Sequence, residues 1–419
     1  VSRSLTTTTV RFRLPWVFWV FWTGTLINRV ATFVAPFLAL YLTNEYGLTP
    51  TTVGAVLTVQ GVGLAFSNLL GGWLADRWGR RTTMLAGLTT TTLLVLGLAE
   101  VRTIGLIVAM VALLGLAADL HRPALQALVA DAVPESERAR AYGLLHWATN
   151  LGISVAMLLG GVLAEIGYTW LFRFDALATA LFAGLIWRLV PPDAAPTIHE
   201  PKAGPSVTWW RDRSMLIFAV VTMLIFAIYF QSYATLPLAM TTAGHSASDY
   251  GLVLAVNGVT VAVLQPLLAR YLGRLPQAPS LAGGYLLIGV GYGLVAVVGN
   301  LAGLAGTVLL WSLGEIMVIA IGSAFVVNLA PTEARGRYLG AYGMAIAAAG
   351  AIAPLLGTAV YEWNDTALWA GSFGVAVLAA ALQLAVRLRP AGTAAVRQLT
   401  VRPRPGWAGS NRKKARDRG

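Results

Sequence analysis

Four ionisable side chains stand well inside long apolar runs: Arg29, Asp119, Arg122 and Glu315. An ion in hydrocarbon is costly, so residues of this kind mark a functional site by default. Glu315 lies in Trp311-Ser312-Leu313-Gly314-Glu315-Ile316, with no cation within a helical turn. A carboxyl among apolar neighbours is more easily buried neutral than ionised, which suits it to load and release a proton. Asp119 and Arg122 are three residues apart and share one face of a helix. Asp119 is expected to pair with Arg122 or with Arg29, and protonation or substrate to break that pair. His121 should point elsewhere and pack. Arg173 and Asp175 are expected to pair with each other or with water, and His146 is a minor candidate for a proton relay. Tyr229, Gln231 and Tyr233, with Asn257 and Gln265 beyond them, are candidates to line a cavity, because amides are costly against lipid. An apolar, aromatic cavity holding one or two acids would suit amphipathic cations.

The elements that position these groups are membrane helices. Of 419 residues, 57% are hydrophobic and 11% charged, against about 25% charged in soluble domains. So few charges could not cover a water-soluble globule of this size, and the hydrophobicity excludes disorder. Cysteine is absent and only four His are present. A disulfide framework, a thiolate nucleophile and a Cys-based metal site are therefore excluded, and a metal enzyme is not expected. No Gly-x-x-x-x-Gly-Lys-Ser/Thr loop couples the chain to ATP. An enzyme is not expected, and no cofactor beyond a proton gradient.

Twelve stretches are long and apolar enough to cross a bilayer, which takes about 20 residues. They fall near 15–42, 51–75, 83–99, 104–128, 140–164, 168–190, 214–240, 249–270, 279–298, 302–328, 337–361 and 366–388. The first is read as a retained helix and not a leader. With both termini inside, every Lys and Arg except Arg29, Arg102, Arg122 and Arg173 falls on the inner side, which sets the orientation. The net charge of +12 is thus a topology signal, and nucleic acid is not an expected partner. Trp16, Trp19 and Trp22 recur near the inner interface as membrane anchors. The fold class is all-α and polytopic. An N-terminal segment 1–14 precedes a six-helix bundle over 15–190. A Pro-rich cytoplasmic linker, 191–213, leads to a second bundle over 214–389, and a basic tail over 390–419 can lean on anionic lipid.

The bundles repeat. A shift of 197 residues carries Asp131, Pro134, Arg138 and Arg140 onto Asn328, Pro331, Arg335 and Arg337, and Ala156 to Gly160 onto Ala353 to Gly357. Parallel repeats of this kind place a site at their interface near the midplane and work by alternating access.

Between the second and third spans runs Gly72-Trp73-Leu74-Ala75-Asp76-Arg77-Trp78-Gly79-Arg80-Arg81. It resembles the loop signature of the major facilitator superfamily, and the resemblance extends over about 15–389. It implies a conformational latch formed by Gly72, Asp76, Arg77, Gly79 and Arg80, with Asp131 at the family's acidic position on the fourth span. Gly72 should let two helices approach closely, and Asp76 should meet Arg80 or a helix N-terminus. The second bundle keeps only Ala269-Arg270-Tyr271-Leu272-Gly273-Arg274, without the acid. The run from Gly152 to Gly161 keeps the glycine frame of the drug-antiporter motif, but Ala156-Met157 replaces its Gly-Pro centre.

The resemblance implies a proton-coupled exporter of hydrophobic or amphipathic compounds, a monomer in the inner (plasma) membrane, with Glu315 and Asp119 as coupling acids. The alternative is a proton symporter for a small metabolite or peptide. Asn28-Arg29-Val30 faintly resembles the peptide-carrier Glu-Arg-Phe pattern, but the upstream acids are missing. A transporter-like sensor without transport is a third class, against which Asp76 and Glu315 argue.

Overall fold

The computed structural model describes residues 14–192, 209–331 and 334–386, apart from the side chains of Ala139, Ala269 and Arg270. These residues belong to one compact unit, Val1–Val386. The basic tail, most of the linker, and the Ala269-Arg270 pair of the second-bundle motif lie outside what is described.

Every described regular element is helical. Spans one to six are α1 (Trp16–Val30) and α2 (Val34–Tyr46), α3 (Pro50–Trp78), α4 (Arg80–Glu100), α5 (Ile104–Ala118) and α6 (His121–Ala132), α7 (Glu135–Ile166) and α8 (Tyr168–Leu189). Spans seven to twelve are α9 (Arg213–Tyr229), α10 (Gln231–Ala234) and α11 (Leu236–Thr242), then α12 (Ala247–Leu272), α13 (Gln277–Leu294), α14 (Leu301–Leu329), α15 (Arg335–Trp363) and α16 (Asp365–Ala385). Eleven spans are long and apolar enough to cross a membrane by composition alone. The twelfth, α13, reads as less apolar because glycine replaces larger side chains. Gly284 packs on the carbonyl of Gly314, and Gly291 on Trp311. The twelve-helix architecture holds.

Spans one, four and seven are broken, at Ala31–Phe33, at Asp119–Leu120 and at Phe230 with Thr235. A proline follows each break within the first turn of the next helix: Pro36 in α2, Pro123 in α6 and Pro237 in α11. Proline lacks the N–H that would bond back four residues, so the helix stops there and restarts.

The two sets of helices, α1–α8 and α9–α16, meet along α3 with α15 and along α7 with α12. Small residues make the seams. A Cβ on Gly61 would lie 2.3 Å from the carbonyl oxygen of Gly350, the carbonyl that Pro354 leaves without its helical donor. Gly54 abuts Thr358, Gly251 the carbonyl of Met157, and Gly161 the carbonyl of Ala247. These contacts crowd toward the face opposite the Gly72–Arg81 loop. On the loop face α3 and α15 diverge, and Cβ atoms on Gly340 and Gly343 would meet nothing within 4 Å. The protein is shut on the far face and open on the loop face.

Candidate functional site

The divergence of α3 and α15 leaves a cavity of about 620 Å³. Leu64 and Asn68 of α3, Met344 and Ala347 of α15, and Phe230 and Tyr233 at the break in span seven are among its walls. Asp119 and Arg122 reach it from the break in span four. It is mostly apolar, and its charge comes from that one break.

There Arg122 Nη1 donates to Asp119 Oδ2 at 3.0 Å, and the backbone N–H of Asp119 donates to Ser67 Oγ of α3 at 3.2 Å. The chain turns at Asp119 because α5 ends there, so the acid sits where backbone groups also need partners. Arg29 takes no part in the pair; among the described residues it forms no ion pair within 4 Å. Its Cβ packs against Gly152 of α7. It lines a second cavity of about 470 Å³ with Asn28, His121, Arg122, Gln126 and His146. His121 is buried and stands edge-on to Phe182 at 6.1 Å.

Asp175 is the site residue that the sequence reading misplaced. Arg173 does not pair with it; Arg173 Nη2 donates to Glu100 Oε1 at 2.8 Å. Asp175 is buried in α8, and its Oδ2 accepts from the backbone N–H groups of Phe33 and Val34 at 3.3 and 3.4 Å. It therefore satisfies the N-terminal donors of α2 that the break in span one exposes. Thr179 Oγ1 donates to Asp175 Oδ1, and Asn28 Nδ2 to Thr179 Oγ1, tying the break to α8.

Glu315 occupies the second set, buried midway along α14. Asn257 Nδ2 of α12 donates to Glu315 Oε2 at 2.6 Å and to Ser312 Oγ at 2.9 Å. The phenols of Tyr229 and Tyr233 lie near the carboxyl. Tyr229 stands edge-on to Trp311 at 5.7 Å. No Lys or Arg lies within 4 Å of Glu315 among the described residues. Tyr233 is also a wall of the 620 Å³ cavity. Tyr233 in turn stands edge-on to Tyr229 at 6.3 Å.

The amides divide. Asn257 holds Glu315, but Gln231 turns away from the cavity. Its Nε2 donates to the carbonyls of Ala227 and Ala353, its Oε1 accepts from Thr235 Oγ1, and its amide fills the niche left by Gly357. Gln265 Oε1 lies 3.0 Å from His146 Nε2 across the α7–α12 seam.

At the loop, Arg80 pairs with Asp131 and donates to the carbonyl of Ala127 at 3.4 Å. Gly79 adopts φ +92° between α3 and α4, a conformation that favours glycine. Arg77 lies over the Trp73 ring at 5.4 Å. Asp76 is exposed and forms no ion pair within 4 Å among the described residues. A Cβ on Gly72 would meet nothing within 4 Å, so Gly72 is not the close-approach glycine; its neighbour Gly71 is, 2.4 Å from the carbonyl oxygen of Leu120.

The sequence model of the Major Facilitator Superfamily matches residues 21–354 and 231–409. The chain belongs to the Major Facilitator Superfamily. Among curated superfamily relatives, a "Na(+), Li(+), K(+)/H(+) antiporter" of Planococcus maritimus is 24% identical, covering 83% of this chain and 91% of its own. The "Multidrug resistance protein MdtH" of Yersinia pestis (strain Pestoides F) is 22% identical, with 80% and 83% covered. Among solved structures, a peptide transporter POT in complex with sulfate superposes with a TM-score of 0.77 at 18% identity, covering 89% and 94%. A mutant of the nucleoside transporter NupG gives 0.73 at 15%, covering 87% and 99%. These superpositions show the superfamily fold. The protein is a multi-pass membrane transporter of the superfamily.

Proposed function

We propose that the protein is a proton-coupled exporter of hydrophobic or amphipathic compounds, with Glu315 carrying the coupled proton and the loop face cytoplasmic in the inner membrane. The observation that carries this reading is the carboxyl of Glu315, held by Asn257 and, among the described residues, by no cation. Hydrogen-bond donors steady a carboxylate without cancelling its charge, so protonation changes the net charge of the site. An Arg partner would fix it as an ion. We place the proton's route from the cavity to Glu315 along the neighbouring phenols of Tyr233 and Tyr229. The apolar walls suit a substrate with a large apolar body, and the named activity of the MdtH relative supports export. Asp119 and Arg122 serve as a charge pair that substrate or a proton can open on the cavity side.

The antiporter relative supports a second reading, alkali cation against proton. The oxygens of Glu315 and Ser312 are the groups that would receive the ion.

The test is flux in proteoliposomes, with and without an imposed pH gradient, for a lipophilic cationic dye and for Na⁺ and K⁺. Glu315→Gln keeps the hydrogen bonds but removes the titrating group, and it should abolish the response to the gradient while leaving equilibrium dye binding intact. Tyr233→Phe should slow gradient-driven flux about a hundredfold, the lower end of what a positioned proton relay contributes. A Glu315→Gln protein that follows the gradient as the parent does overturns the assignment. Flux of Na⁺ or K⁺ without dye flux selects the second reading.

A further inference from the structure

Two of the hydrogen bonds that join the helix sets at the shut face are copies of one another. Glu165, one residue before the end of α7, accepts through Oε1 from the backbone N–H of Ser248 in the first turn of α12 at 3.2 Å. Glu362, one residue before the end of α15, accepts through Oε2 from the backbone N–H of Thr51 in the first turn of α3 at 2.8 Å. The repeat shift of 197 residues carries Glu165 onto Glu362 and Thr51 onto Ser248. Each carboxylate therefore leaves the C-terminal end of one helix and caps the N-terminal end of its counterpart's neighbour in the other set.

The chemistry of both contacts is the same. First-turn N–H groups have no acceptor within their own helix, and the N-terminal end of a helix favours an anion. Each cap crosses the boundary between the sets, so it exists only while that end of the seam is shut. Beneath each cap lies a glycine contact of the same seam: Gly161 on the carbonyl of Ala247, and Gly54 on Thr358. The glycine contacts repeat as well: Gly54 abuts the carbonyl of Pro354, and at the shifted positions Gly251 abuts the carbonyl of Met157. Thr58 Oγ1 accepts from the N–H of Leu355, but the shifted position of Thr58 is Ala255, which has no hydroxyl.

We propose that Glu165 and Glu362 are the gate residues of the far face, each bonding the opposite helix set when that face is shut and releasing it for the face to open. They are positioning residues for the transport cycle, since neither reaches the cavity. The assignment does not depend on which substrate or ion is carried.

The chain has no cysteine, so Thr103→Cys and Ala302→Cys accept spin labels without background. Both positions are exposed, at the far-face ends of α5 and α14 in opposite sets. Distance distributions of the purified full chain in lipid nanodiscs then report far-face opening. Glu165→Ala and Glu362→Ala should each raise the ratio of long to short distances about fivefold, the value of one cap, and together about twenty-fivefold. Glutamine retains an acceptor oxygen and should recover most of the parent distribution. Ser248→Pro deletes the donor while leaving Glu165 in place, at a first-turn position that tolerates proline, and should shift the ratio as Glu165→Ala does. Glu45→Ala removes an exposed carboxylate of the far face that makes no bond across the sets, and should change nothing. A doubly substituted Glu165→Ala, Glu362→Ala protein with the parent distribution overturns the proposal. So does a shift of the same size from Glu45→Ala.

Discussion

Asn257 decides what Glu315 can be, and Arg122 decides what Asp119 can be. Glu315 has an amide donor as its partner, whereas Asp119 has a guanidinium 3.0 Å away. The two acids placed together by sequence as coupling candidates thus differ in their partners, and on the proposed function only Glu315 carries the coupled proton. The partner of Asp119 also sets how much the pair is worth. Stranding a fully buried charge costs about 3–5 kcal/mol, but the Arg122 side chain is 48% exposed and water can solvate it. Asp119→Asn is therefore expected to cost stability only about 1 kcal/mol, in the range of solvent-reached ion pairs, and to act mainly on substrate binding. Thermal unfolding in detergent checks the first part and dye titration the second. Adding Arg122→Gln should restore the unfolding temperature, and Arg29→Gln should not, because Arg29 is not bonded to Asp119. Rescue by Arg29→Gln alone would assign the charge pair to the wrong partner.

Breaks in helices put these side chains where they are, and the breaks carry their own stability terms. Asp175 supplies the acceptor for two backbone N–H groups at the start of α2. Asp175→Ala would leave both donors buried without a partner, at about 1–3 kcal/mol each. The expected outcome is a loss of roughly 2–4 kcal/mol, seen as a lower unfolding temperature, with Asn recovering part of it through its own carbonyl oxygen. An unchanged unfolding temperature would mean that water replaces the carboxylate and that the cap is not structural. Pro36, Pro123 and Pro237 stand in the first turn of the helix after each break, where proline marks a helix start, but the sequence reading missed all three breaks because apolar length fused each pair of helices into one span. Hydropathy gave the spans, the 197-residue correspondence the repeat and the Gly72–Arg81 run the family, because all three are local or periodic signals. Long-range pairing was less legible. The cost of an amide in lipid correctly turns Gln231 inward. It cannot distinguish the cavity from a niche opened by Gly357 more than a hundred residues away. The Gly71 and Gly72 pair is similar: the motif names the second, but the carbonyl of Leu120 selects the first.

At the scale of the whole molecule, the seams fix one conformation, and the latch expected of the loop motif would act in the other. With the far face shut and the loop face open, Arg80 and Asp131 pair within one helix set, while Asp76 is exposed and, among the described residues, pairs with nothing within 4 Å. A residue idle in one state can still favour the state in which it finds a partner. On the latch reading, the opposite closure is expected to bring the loop-face end of α15, now diverged from α3, to Asp76. An anion at a helix end makes a charge-assisted bond worth about 1.5–3 kcal/mol, which corresponds to a tenfold or larger change in the ratio of the two states. Asp76→Asn should therefore leave the conformation described here, and substrate affinity from the loop face, close to those of the parent. It should lower the population open on the far face about tenfold and slow flux in proportion, because a ligand or gradient can only act through states that differ in energy. Equilibrium dye binding to loop-face-open protein, measured beside proteoliposome flux, separates the two. A substitution that weakens binding while the cycle runs at the parent rate would place Asp76 in the substrate path and remove it from the latch.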